Sequence, residues 1–217
     1  GKVGGATTDA STPSRAAKLA WSYAWRSGAD FSGASDPLLV NGNAYIATKH
    51  TLRIVSGADG TVLKEAPMTA SVGYFSRPVY AGGRIIVPAD GGALSAYAAD
   101  DLTCVWSLTG LAPDTQALSS VSVIGDYVVA GYTSLDAKWS GAAGTLVCVN
   151  ARTGAVVWKK VDKADETPEG YYWAGAAASA SDVVVGGESG SVKLLDGATG
   201  KELSSVSVGG AVRAGIT

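Results

Sequence analysis

The sequence predicts an all-β protein made of β-propeller-type blades, and three observations lead there. A strand–turn–strand phrase returns four times along the 217 residues. Apolar residues alternate by two, as at Leu146 and Cys148 or Val183 and Val185, which is the period of strands. Turn dipeptides and 29 glycines interrupt the chain every few residues, leaving no stretch of helical periodicity.

In chain order, residues 1–18 read as a linker or a segment added for expression rather than a signal peptide, because "GKVGGATTDASTPSRAAK" has no apolar central segment. Residues 19–217 read as a single repeat domain. "LAWSYAW", residues 19–25, resembles an outer strand without three strands before it. Four units follow, at about 34–68, 75–110, 118–161 and 172–208. The first hairpin of each lies in "PLLVNGNAYIAT", "PVYAGGRIIVPA", "SVSVIGDYVVAG" and "AASASDVVVGG". Asn-Gly, Gly-Gly and Gly-Asp between alternating apolar residues mark tight turns that need positive φ. The second hairpin lies in "TLRIVSGADGTVLKEA", "GALSAYAADDLTCVWSL", "GTLVCVNARTGAVVWKK" and "SVKLLDGATGKELSSV". Its closing positions are Gly60, Leu102, Gly154 and Gly200. A period of roughly 40–50 residues with four strands per unit is the sequence pattern of propeller blades. "AVRAGIT", residues 211–217, reads as a further inner strand.

The phrase "GTLVCVNARTGAVVW", with Trp158 closing it and Trp106 in the equivalent place of the second unit, resembles the repeat of the pyrroloquinoline-quinone-like propellers. Lys64 and Ser204 stand at that place in the other two units. The resemblance covers nearly everything from Leu19 onward. It implies a ring of seven or eight blades, so four four-stranded antiparallel blades plus partial terminal strands are expected to be an incomplete ring or a fragment. An arc pairing with a second copy and a small closed four-bladed ring are the other two expectations. Self-association through open blade edges follows from the arc.

Composition restricts function. Net charge is −2 with no basic block, which argues against nucleic acid. No apolar run approaches the length of a transmembrane helix. Cys104 and Cys148 are too far apart for a CxxC motif and are expected to be small buried hydrophobes on strands, with a disulfide left open.

Strand direction divides the loops between two faces. One face has only tight turns. The other carries "TSLDAKWSGAA", residues 133–143, and "VDKADETPEGYYW", residues 161–173, and is expected to be the binding side. Its candidate contacts are Trp139, Lys138, Tyr171, Tyr172, Trp173, Tyr74 and Phe75, with Phe31 and His50 on the same side. Trp139 is the best exposed candidate, whereas Trp173 is expected to pack between blades. Asp162, Asp165, Glu166 and Glu169 are weak candidates for a Ca²⁺ site, although their spacing fits no EF-hand and a solvated acidic loop fits better. Asp36, Asp90, Asp114 and Asp136 read as turn residues.

Catalysis is not expected. The resemblance implies that a quinone dehydrogenase would need adjacent cysteines, a Trp platform and a calcium-binding carboxylate set. No adjacent cysteines are present. His50 is the single histidine, and "GESGS" at Gly187 leads into a strand rather than the helix of a nucleophile elbow. The expectation is a noncatalytic protein-binding or scaffold module without a cofactor, in an exported or cell-surface bacterial protein. It would be extracellular, cell-surface or periplasmic, with a protein or a cell-envelope polymer as partner. A glycan-binding module using the loop aromatics, and a quinone- or metal-dependent oxidoreductase fragment, are the rival readings.

Overall fold

The computed structural model describes residues 18–22, 34–73, 76–113, 115, 117, 120–135, 141–161, 175–213 and 216. Within them sixteen strands form four four-stranded antiparallel sheets, each taken in sequence order from one edge to the other. Blade 1 holds β1 (Leu38–Val40), β2 (Asn43–Thr48), β3 (Thr51–Ser56) and β4 (Val62–Pro67). Blade 2 holds β5 (Val79–Ala81), β6 (Arg84–Ala89), β7 (Ala93–Ala98) and β8 (Cys104–Leu108). Blade 3 holds β9 (Ser122–Ile124), β10 (Tyr127–Leu135), β11 (Gly141–Asn150) and β12 (Val156–Val161). Blade 4 holds β13 (Ala176–Ala178), β14 (Asp182–Gly186), β15 (Ser191–Asp196) and β16 (Glu202–Ser207). No described residue is helical.

The core lies between sheets rather than within one. Successive side chains of a strand point to opposite faces, so each middle strand serves two seams. Ile85 and Val87 pack toward blade 1 with Leu52 and Tyr45, while Ile86 between them packs toward Val128 and Val149 of blade 3. The third seam joins Val129, Cys148 and Trp158 to Val183, Val185 and Leu195. Outer strands have one protein neighbour fewer, and β4 and β16 are mostly exposed.

One turn geometry recurs four times. In the β3–β4 hairpin Gly60 N–H donates to Ser56 O, and Ser56 N–H to Thr61 O. Leu102 with Ala98, Gly154 with Asn150, and Gly200 with Asp196 repeat the pattern. All four closing residues have positive φ, between 60° and 76°, so Leu102 adopts a backbone that its glycine counterparts reach without strain. The register also shifts at the same place in each outer hairpin, after Ile54, Ala96, Cys148 and Leu194. Such a bulge fixes the twist with which each blade meets the next.

These glycines have a second reason to lack a side chain. The indole of Trp106 lies over Gly154, and that of Trp158 over Gly200, where a Cβ would fall 2.9 and 2.7 Å from ring atoms. Trp106 Nε1–H donates to Ala151 O at 3.0 Å, and Trp158 Nε1–H to Gly197 O at 2.9 Å. Blades 2 and 3 thus each press a tryptophan onto the next blade's hairpin. Trp21 makes the same contact with blade 1: it lies over Gly60 and donates to Gly57 O at 2.9 Å. It therefore takes the place expected of an outer-strand tryptophan, although residues 18–22 form no strand.

Candidate functional site

On the long-loop side, the residues expected to make contacts, Trp139, Lys138, Tyr171, Tyr172, Trp173, Tyr74 and Phe75, lie outside the described residues, as does Phe31. The same is true of Asp162, Asp165, Glu166 and Glu169, and of Asp114 and Asp136. His50 is described, exposed at the β2–β3 turn, with its carbonyl accepting from Met68 N–H. Among the described residues no cluster of His, Cys, Asp or Glu could hold a metal ion. "GESGS" forms the β14–β15 turn and passes directly into β15, as expected.

The described part of this face is held by charged pairs. Arg77 Nε meets Asp36 at 3.0 Å, and Arg213 meets Glu188 through two hydrogen bonds of 2.9 and 2.8 Å. Asp90, expected as a turn residue, lies in the β6–β7 turn, and its carboxyl is partly buried, with Oδ1 enclosed and unpartnered. Burial raises its pKa, against a smaller lowering effect from the Ala117 N–H. A small pocket of about 250 Å³ lies at the blade 2–blade 3 seam, between Leu111, Pro113, Gly144 and Val161.

The two cysteines differ from each other, and both are free thiols. Cys148 is buried under Trp158, which pushes its thiol pKa up to about 12. Cys104 is exposed, contrary to the expectation of two buried cysteines, because it begins the outer strand β8.

The tight-turn face holds a feature that sequence reasoning passed over. Cross-strand rows show how each blade meets the next: Ile86–Ala96–Trp106 in blade 2 and Val129–Cys148–Trp158 in blade 3. The corresponding row of blade 1 is Tyr45–Ile54–Lys64. A small central residue accepts an indole, whereas Ile54 with Tyr45 takes that volume itself. Tyr45 Oη–H donates to Ala99 O at 2.5 Å, the carbonyl that a tryptophan would engage at this seam. The bulk is satisfied from β2, and the outer part of the seam stays open as a cleft of about 520 Å³. The available sequence signal was the pairing of Lys64, where the second and third units have Trp, with Leu102, where the other units have Gly.

Four antiparallel sheets packed face to face in chain order, with tryptophans docked on the next sheet's hairpin, define a propeller-blade protein. Residues 69–167, less than half of the chain, match the family described as outer membrane protein assembly factor BamB. Among solved structures, BamB from Moraxella catarrhalis is similar with a TM-score of 0.65 at 16% identity, over 91% of this chain and 57% of that one. The quinohemoprotein alcohol dehydrogenase ADHIIG from Pseudomonas putida HK5 gives 0.64 at 17% identity, over 88% of this chain and 36% of that one. The computationally designed Ika4 protein gives 0.59 at 13% identity, over 83% of this chain and 98% of that one. No curated protein matches the chain. The pyrroloquinoline-quinone-like propeller resemblance therefore holds, with BamB-like relatives. The chain spans 57% and 36% of the two natural proteins, and at these identities the shared property is the fold.

Proposed function

We infer that this chain is a noncatalytic protein-binding or scaffold module of an exported or cell-surface bacterial protein. The observation that carries this reading is the match of residues 69–167 to an outer-membrane assembly factor. That match spans β5 to β12 and contains the 133–143 loop and the first part of the 161–173 loop of the expected binding side. An apolar core runs through each seam between blades, so the loops sit on a rigid support. Trp139 and Lys138, with Tyr171, Tyr172, Trp173, Tyr74 and Phe75, are the contact residues of this reading. A protein or a cell-envelope polymer is the partner, outside the cytoplasm. No described helix is long and apolar enough to cross a membrane.

Blade 4 supports a further element of the reading, association through an open blade face. Val184, Val192 and Leu194 are only partly buried, and Val206 and Val208 are exposed. The counterparts of Val184, Val192 and Leu194, namely Ile86, Leu94 and Ala96 in blade 2 and Val129, Leu146 and Cys148 in blade 3, are buried against a neighbouring sheet.

Site-specific photocrosslinking tests the binding side. A photoreactive residue placed at 139 or 172 is expected to give discrete protein adducts in the producing cell, and one at Gly125 on the tight-turn face none. Adducts of equal yield from all three positions, or quinone-dependent dye reduction by the purified protein, would overturn the reading.

A further inference from the structure

We propose that the cleft at the blade 1–blade 2 seam, on the tight-turn face, is a binding site for a neutral saccharide of one or two rings. It is independent of the protein-binding surface inferred above and lies on the opposite face.

The seam is open for a reason internal to the repeat. Trp21, Trp106 and Trp158 each cover a hairpin glycine and reach the carbonyl three residues before it. Here Lys64 occupies the tryptophan position and Leu102 the glycine position, and Tyr45 reaches the carbonyl from beneath. The contact that shuts the other seams is replaced by one that sits deeper. A cleft of about 520 Å³ remains, within the range of small-molecule sites.

The lining selects the ligand. Ile54, Leu63 and Ala99 provide apolar surface, and Tyr45 and Tyr80 contribute aromatic rings. Asn41, Asn43, Lys64 and Asp100 supply amide, ammonium and carboxylate groups. One cation and one anion leave the cleft near neutrality, so neither a phosphate nor a metal ion is favoured. Amides together with both charges offer many donors and acceptors side by side. A molecule with a hydroxyl rim and a C–H face uses both kinds of surface, and a sugar ring is such a molecule.

The hydrogen-bonding capacity is also unspent. No side-chain hydrogen bond to a described residue engages Asn41, Asn43, Lys64, Tyr80 or Asp100. By contrast, turn residues nearby or in equivalent hairpins are used up on their own loops. Asp101 accepts from Thr103, Asn150 from Arg152 and Thr153, and Asp196 from Thr199. The groups are close enough to influence one another: Tyr45 titrates high chiefly from burial, with further contributions from Tyr80 and Asp100. Asp100 and Lys64 are exposed, so replacing them does not endanger the fold.

The test uses the whole chain, ¹⁵N-labelled, titrated with glucose, galactose, mannose, N-acetylglucosamine, cellobiose and chitobiose at millimolar concentration. At least one sugar is expected to shift the amide resonances of Asn41, Asn43, Gly83 and Asp100 while leaving those of blades 3 and 4 unmoved. Asp100→Ala should weaken that sugar by about tenfold or more, the size of a lost hydrogen bond to a charged group. Its melting temperature should stay at the parent value. Lys64→Trp, which puts an indole into the cleft, should abolish the shifts in a protein that still gives a folded spectrum. Three outcomes overturn the proposal: no sugar moving these resonances, shifts that persist undiminished in both variants, or the same resonances responding to short peptides but to no sugar.

Discussion

Replacing Trp158 with alanine tests the blade-to-blade docking on which the fold rests. The side chain is 8% exposed and packs on Cys148, Gly200 and the blade 4 sheet. A tryptophan buries up to about 250 Å². At about 25 cal/mol per Å² this amounts to about 6 kcal/mol. The surface kept by alanine and the compactness of the unfolded chain reduce it to about 3–5 kcal/mol, the range found for aromatic truncation in cores. Part of that loss is the Gly197 carbonyl, which loses its 2.9 Å donor. For a chain of this length the melting temperature should fall by about 6–20 °C. Equilibrium urea unfolding followed by circular dichroism measures the loss directly. Trp158→Phe keeps much of the ring area but not the N–H and should cost only about 1–2 kcal/mol. A loss below about 1.5 kcal/mol for the alanine variant would show that the indole does not hold the seam, and the docking argument would fail with it.

Gly200→Ala should lose about 2–4 kcal/mol, from a left-handed φ of 68° and from a Cβ 2.7 Å from the Trp158 ring. In the Trp158→Ala background only the backbone part should remain, a coupling that a double-mutant cycle reads. Leu102→Gly restores the repeat's usual residue, yet it should destabilise by about 1–3 kcal/mol in thermal or urea unfolding, because Leu102 is 2% exposed and Lys64 does not fill the space. Asp90→Asn should raise the melting temperature at pH 7. The carboxyl's raised pKa means that its stabilising acid form is fully present below about 3.8 and is lost as pH rises through the folded value, so the variant should also flatten the pH profile above that point. In native protein at pH 8 a thiol reagent should modify Cys104 promptly and Cys148 only after denaturation, given exposure of the first and a thiol pKa near 12 for the second.

The sequence carried the blade because its determinants are local. Alternation at Val183 and Val185, positive φ at Gly60, Gly154 and Gly200, and the period of the hairpins all act within a few residues. Even the irregular member was visible, since Leu102 aligned with the glycines before its φ of 60° was known. Cys104 was misjudged as buried because alternation identifies a strand but not whether that strand lies at the sheet's outer edge. Asp90 is the turn residue that the sequence indicates, but its burial was not legible there: Gly73 and Ala117, distant in sequence, pack against the carboxylate.

The sequence by itself determined strand order, turn geometry and the tryptophans that repeat with the units. Tertiary structure alone decided which residues of different blades meet. Trp21 over Gly60, and Tyr45 donating to Ala99 in the seam that lacks a tryptophan, are contacts between segments dozens of residues apart. Such pairings arise from the angle at which one twisted sheet lies on the next. No periodicity within a single strand encodes that angle.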